Sequence, residues 1–177
     1  MNGERSTGKE QDHSPFTAHL EPYRPLRLTV LAVGKLRPVF REATDEYLRR
    51  LRRYGPVEEH EVREAGKAPS PGEALRQEAE RLRQRIEPGA FLVALDREGK
   101  ALSSEALAAR LDRWRQSARP VTLLVGGSHG LEAGLLERCQ ERWSLGPATL
   151  PHELARVVAC EQLYRAWTIL QGEPYHK

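Results

Sequence analysis

The chain has 177 residues, enough for one domain with a substantial core and too few for two comfortable ones. With 39% hydrophobic and 30% charged residues it reads as soluble and globular, and no apolar run approaches the roughly 20 residues that a membrane span needs. The formal net charge is +3, yet residues 27–120 hold 20 Lys/Arg against 15 Asp/Glu while residues 121–177 hold 5 against 6. An anionic partner is therefore expected along the first two thirds, ahead of a nearly neutral pocket, although a merely basic soluble enzyme would show the same balance. Cys139 and Cys160 make no disulfide framework and lack metal-ligand spacing, so free thiols in a reducing cytoplasm and no metal are expected.

Residues 1–25 mix Ser, Gly, His, Pro and charges without periodicity, which predicts a disordered extension; its polar start has neither a secretory apolar region nor Arg-rich transit character. Leu28 to Val33, closed by Gly34, predicts a buried strand. Val39, Phe40, Ala43, Tyr47, Leu48, Leu51 and Tyr54 recur at helical spacing until Gly55-Pro56. Val57 to Val62 is a weaker strand, interrupted by Glu58, Glu59 and Glu61. Ser70-Pro71-Gly72-Glu73 is a capping box opening a helix to about Ile86. Ala90 to Leu95 predicts a buried strand, Ser103 or Ser104 caps a helix through Trp114, and Val121 to Val125 predicts another strand. This alternation implies an α/β fold, with a mainly parallel sheet and helices on both faces. Ligands bind such sheets beyond the carboxyl ends of the strands, which directs attention to the loops after Leu95 and Val125.

Gly126-Gly127-Ser128-His129-Gly130 lies between a strand and a helix expected near Leu131; it is either a tight turn or a loop that lets backbone approach a ligand, and it has no P-loop lysine. From Trp143 a short apolar strand enters Leu145-Gly146-Pro147-Ala148-Thr149-Leu150-Pro151, a stiff backbone with small side chains. Such a loop suits an adenine read by main-chain groups better than it suits a plain connection. The last helix, about Glu153 to Gln171, carries Leu154, Val157, Val158, Leu163, Tyr164, Trp167, Ile169 and Leu170, an apolar surface wide enough to suggest a dimer interface. Glu161 and Arg165 are spaced to pair across one turn, as a solvated helix pair would. The tail Tyr175-His176-Lys177 has groups that can stack on a base and neutralise a phosphate, or it is a frayed terminus.

These C-terminal segments, Leu150 to Val157, Glu161 to Trp167 and Pro174 to His176, resemble the signature of the ribosomal large-subunit (23S) pseudouridine N3-methyltransferases, minimal members of the SPOUT superfamily. Val33-Gly34-Lys35, Leu95-Asp96 with Gly99-Lys100, Val125-Gly126-Gly127 and Trp143-Ser144-Leu145 match in the same order, so the resemblance spans about Leu26 to Lys177. It implies a single domain over 26–177 with a C-terminal trefoil knot, which general topology rules argue against. It also implies a cytoplasmic homodimer and S-adenosylmethionine contacted by Leu95, Gly126, Leu145, Gly146, Pro147, Ala148, Thr149 and Leu150. The substrate implied is a pseudouridine in large-subunit rRNA, on the large subunit or the assembled ribosome. By the same resemblance His152, Glu161, Arg165, Tyr175 and His176 shape the catalytic site, partly across the dimer interface. Lys177 stands where relatives often end in Arg, which keeps the charge and loses the planar fork. Leu26 falls on the usual initiator, so residues 1–25 are expected to reflect a misassigned start, which an intact mass of the native protein would test.

Methyl transfer from a sulfonium needs alignment more than acid–base power, but the weakly acidic imide N3–H must be removed or its anion stabilised. Arg165 and His176 are expected to supply charge or hydrogen bonds near the base, with Tyr175 holding it, Glu161 orienting Arg165, and His152 acting as a base or positioning the tail. Arg49, Arg50, Arg52 and Arg53 either contact rRNA phosphates or form a solvated surface. The competing readings are a SPOUT enzyme acting on tRNA and a ribosome-assembly factor that keeps the fold without catalysis.

Overall fold

A computed structural model describes residues 25–176; the expectations for residues 1–24 and for Lys177 lie outside them. In chain order the elements are β1 (Leu28–Val33), α1 (Pro38–Leu51), β2 (Val57–Val62), α2 (Pro71–Arg83), β3 (Phe91–Ala101), α3 (Ser104–Gln116), β4 (Val121–Val125), α4 (Ala133–Leu136), β5 (Glu141–Ser144) and α5 (His152–Leu170). The strands pair in the order β2-β1-β4-β3-β5, each pairing parallel. Parallel strands need crossovers, and helices supply them on both faces. Leu28, Val30 and Ala32 of β1 face a core shared with α1, α3 and α5, while Leu31 and Val33 face α2 and Leu135 of α4. The near-continuous apolar runs of β1 and β4 follow from this two-sided burial.

Local signals place the helix ends. Ser70 Oγ accepts from Glu73 N at 3.2 Å with Pro71 opening α2, and Ser103 Oγ accepts from Ala106 N at 3.1 Å at the start of α3. Two expectations change. β3 does not stop at Leu95 but runs to Ala101 through an irregularity between Leu95 and Lys100, where Gly99 passes so close to the Arg142 carbonyl that a Cβ would sit 2.6 Å from it. The helix expected from Leu131 is the single turn α4, because Gln140 brackets Leu92 with two hydrogen bonds (Gln140 N to Leu92 O, 3.0 Å; Leu92 N to Gln140 Oε1, 2.7 Å) and draws the chain into β5.

β2 forms despite its glutamates because it is an edge strand, and two of them have cationic partners. Arg156 of α5 is fully buried and donates to Glu61 Oε1 at 2.7 Å, Glu59 Oε1 at 3.3 Å, and the carbonyls of Val33 (3.1 Å) and Gly34 (2.8 Å). Arg41 of α1 adds a second cation, 2.6 Å from Glu59. Both terminal nitrogens of this buried guanidinium are bonded and its charge is met by carboxylates, as burial of a cation requires, while Nε is left without a partner.

α5 packs against both α1 and α3 and buries Ala159, Leu163, Tyr164, Ala166 and Trp167 within its own chain. Much of the apolar width that suggested a dimer is thus used internally. Among the residues that remain half-exposed, Leu154, Val158, Glu161 and Arg165 line up as one stripe, with Val157 beside it.

Replacing Arg156 with Ala should lower unfolding stability by about 3 kcal/mol, since it strands two partly buried carboxylates. Urea denaturation checks this, and an unchanged midpoint would show that the pairing contributes nothing.

Candidate active site

The sheet register gathers the expected cofactor residues. Leu95 pairs with Val125 on one side and Trp143 on the other, so Gly126 follows one residue, and Leu145 two residues, beyond the level of Leu95 on the adjacent strands β4 and β5. The sheet is about 10 Å across these three strands at the level of Leu95. A Cβ on Gly126 would meet the backbone of Gly130 at 2.3 Å, and Gly130 N bonds back to Gly127 O at 3.0 Å. The turn itself therefore demands this glycine, without any ligand. Beyond β5, Gly146 takes φ +117° while Ser144 Oγ bridges its N and O at 3.2 Å. This pivot turns out Pro147, Ala148 and Thr149, which are exposed, and half-exposed Leu150. Among the described residues the N–H and C=O groups of Ala148, Thr149 and Leu150 make no intrachain hydrogen bond. Free main-chain groups on a small-side-chain loop fit the recognition of an adenine and a sulfonium side chain.

The N-terminus of α5 is clamped to the β1–α1 connection. Pro151 offers no side-chain cap, and Glu153 takes hydrogen bonds from Arg37 N and Arg37 Nε, both at 2.7 Å. Those bonds, the backbone one foremost, lower the Glu153 pKa against the opposing effect of burial. His152 Nε2 lies 3.4 Å from Glu64 Oε1 in the loop after β2.

The tail is folded back rather than frayed. Gly172 (φ +65°) ends α5 in a Schellman turn, with Glu173 N bonded to Thr168 O at 2.8 Å and Gly172 N to Ile169 O at 3.1 Å. Tyr54 OH then holds Glu173 at 2.8 Å. Tyr175 meets the Tyr164 ring edge-on at 4.8 Å, sits under the Arg165 guanidinium at 4.7 Å, and donates to Glu161 Oε1 at 3.1 Å. Burial, then hydrogen bonds with Tyr47 and Glu161, raise the Tyr175 pKa, so it stays a neutral donor. Burial works against the charge of Arg165, but the hydrogen bond and the field of Glu161 (2.7 Å) outweigh it and hold the guanidinium cationic. His176 Nε2 lies 2.8 Å from Glu105 Oε1 at the start of α3, and its Nδ1 is buried without a partner. Ser104 and Gln162 extend the network, Ser104 Oγ to Gln162 at 2.9 Å and Gln162 Nε2 to Glu161 at 2.6 Å.

Glu161, Arg165 and Tyr175 thus form one cluster, with His176 beside them, and the Glu161–Arg165 pair is part of a network rather than a solvated helix pair. His152 is not brought to it: thirteen residues of helix separate it from Arg165, about 20 Å. Pattern reading missed Arg37, Tyr54, Glu105 and Arg156 as supports; only the Gly172 turn carried a local signal for the returning tail. The arginines of α1 are largely committed elsewhere. Arg49 and Arg50 bond Glu46 at 2.6 Å, Arg52 bonds Val57 O at 3.2 Å, and Arg53 lies over Tyr54 and 3.8 Å from Glu173. Burial pushes Cys139 up to about 11 and Cys160 to about 12, so neither is a thiolate nucleophile near neutrality.

Because folding depresses the Glu153 pKa, its stabilising effect is complete above the ordinary carboxylate value and fades as pH falls through the folded value. Glu153→Gln should therefore be less stable than the parent at pH 7, with the gap closing in acid. Thermal unfolding across pH checks this, and a gap that widens in acid would refute it.

Comparison with known proteins puts these observations in a family. The family described as "Predicted SPOUT methyltransferase" matches residues 26–176. The chain is 44% identical over 155 residues to "Ribosomal RNA large subunit methyltransferase H" of Stutzerimonas stutzeri (strain A1501), covering 86% of this chain and 100% of that one. The protein of the same name from Pseudomonas aeruginosa (strain LESB58) matches to the same extent. Among solved structures, a probable methyltransferase from Bordetella pertussis Tohama I superposes with a TM-score of 0.50 at 15% identity, over 80% of this chain and 96% of the other, a likeness of fold alone. The parallel sheet, the register that brings the ends of β4 and β5 beside Leu95, and this match over nearly all described residues make the chain a member of the SPOUT methyltransferase family.

Proposed function

We propose that this enzyme transfers a methyl group from S-adenosylmethionine to N3 of a pseudouridine in large-subunit rRNA, acting in the cytoplasm as a homodimer of single-domain protomers over residues 26–177 with a knotted C-terminal segment. The observation that carries the reading is the 44% identity over the full length of relatives named for large-subunit ribosomal RNA methylation. Leu95, Gly126, Leu145, Gly146, Pro147, Ala148, Thr149 and Leu150 would hold the cofactor, whose sulfonium supplies an electrophilic methyl. The chain's own work is to position the base and stabilise the anion left when N3 loses its proton.

Arg165, held cationic and aimed by Glu161, supplies that charge, and Tyr175 packs the base from the returning tail. His176 is positioned by Glu105 to donate or accept at the base, and His152 stands at the cofactor-loop end of α5. The separation of His152 from the Arg165 cluster within one chain favours a site completed by a second copy. The half-exposed stripe Leu154, Val158, Glu161 and Arg165 offers a self-complementary face for a two-fold pairing of α5 helices.

In single-turnover assays with ribosomes, Arg165→Ala and His176→Ala should each slow methylation about 100-fold while cofactor affinity is kept. Near-normal rates in both would refute the assignment. Mixing Arg165→Ala protomers with cofactor-loop Gly146→Val protomers should restore activity that neither has alone; no restoration in proven mixed dimers would argue for a site complete within one chain. Labelled S-adenosylmethionine offered with large subunits or tRNA separates the target classes, and label on tRNA alone would overturn the rRNA reading.

A further inference from the structure

A second feature lies at the carboxyl ends of β1 and β2, outside the residues given a role above. A groove of about 920 Å³ is lined there by Lys35, Arg63, Glu64, Lys67 and Arg81, with Glu61 at its base. Its charges are unevenly committed. Glu61 is engaged by buried Arg156 at 2.7 Å and by Arg41 at 3.6 Å, and Glu64 lies 3.4 Å from His152. Lys35, Arg63 and Lys67 make no ion pair or side-chain hydrogen bond among the described residues, and Arg81 bonds only the Arg63 carbonyl (2.7 Å) and Gln77 (3.4 Å). Glu61 is neutralised from within the protein, which leaves Glu64 as the one acid facing the groove against the cations of Lys35, Arg63, Lys67 and Arg81.

The groove is also preformed. Buried Glu78 of α2 accepts from Ala65 N at 2.9 Å, Ala68 N closes a turn on Ala65 O at 2.8 Å, and Arg81 pins the Arg63 carbonyl. The loop that presents Arg63 and Lys67 is therefore fixed before anything binds, which lowers the ordering cost of binding. Glu64 and His152 join it to the start of α5. By contrast the α1 arginines, a more conspicuous basic cluster in the sequence, are bonded to Glu46, to a carbonyl or to the tail.

We propose that this groove is a phosphate-binding track that grips the RNA backbone flanking the target nucleotide, with Lys35, Arg63, Lys67 and Arg81 as its contacts. The proposal rests on the reading of the protein as an RNA methyltransferase and adds the surface that holds the substrate. Such contacts set affinity and its salt dependence and leave the chemical step alone.

The test is the Arg63→Ala/Lys67→Ala double variant of the full chain, whose two side chains have no partner to lose among the described residues. Binding to protein-free 23S rRNA is measured by filter retention over a salt series, and methyl transfer to large subunits is measured in parallel. About tenfold weaker rRNA binding is expected, with a log–log salt slope shallower by about 1 to 2, a raised KM and kcat within twofold. The Arg63→Lys/Lys67→Arg exchange, which keeps both charges, should restore most of the affinity. Unchanged affinity and slope would overturn the track. So would a fall in kcat alone, and a KM raised for subunits with rRNA binding untouched would assign the groove to a ribosomal protein instead. If the parent protein methylates no rRNA, the functional reading fails by itself, because the binding arm still decides whether the groove holds RNA.

Discussion

The arrangement turns on one buried cation. Arg156 joins an edge strand, the end of the neighbouring strand and the first half of the last helix through four hydrogen bonds. An unpaired guanidinium at that depth would be costly, so β2 must carry glutamates where a strand ordinarily carries apolar residues. Those same glutamates then hold Arg41 and with it the start of α1. Arg156 thereby ties α5, and with it the loop before the helix and the tail after it, to the carboxyl ends of β1 and β2.

The two ends of α5 are anchored by different means. At its start, where Pro151 offers no side-chain cap, the Glu153 carboxylate takes both a main-chain and a side-chain donor from Arg37 and so ties the helix to the β1–α1 connection. At its end, Gly172 reverses the chain so that Tyr175 lies back along the helix on Tyr164 and Arg165. The same helix therefore carries candidate chemistry at two points too far apart to meet in one chain. The proposed two-fold pairing of α5 helices is what would bring them together.

Charge commitment separates the two basic regions. On α1, near neighbours at three and four residues absorb Arg49 and Arg50, and aromatic faces of Tyr47 and Tyr164 cover Arg50. Around the loop after β2, Glu61 is drawn inward by Arg156 while the cations are left outward. A count of arginines along the chain points to the first region; the partners each one keeps point to the second.

By itself the sequence determined the α/β class, the existence of all five strands and most helix starts, because apolar runs, capping boxes and turn glycines are local and their physics is local. The order of Leu95, Gly126 and Leu145 to Leu150 along the chain, read with the family resemblance, was enough to nominate the cofactor loops, and Glu161 with Arg165 was legible as a helical pair. Only the tertiary structure decided that β2 tolerates its glutamates, that β3 runs on to Ala101, that the helix after Gly130 is one turn, and that α5 spends most of its apolar width inside its own chain. The partners of Arg156 lie about a hundred residues away, and the exposure of Arg63 and Lys67 depends on which acids are already taken. Long-range pairing and competition for partners leave no periodic trace in sequence, so those features became visible only once the chain was folded.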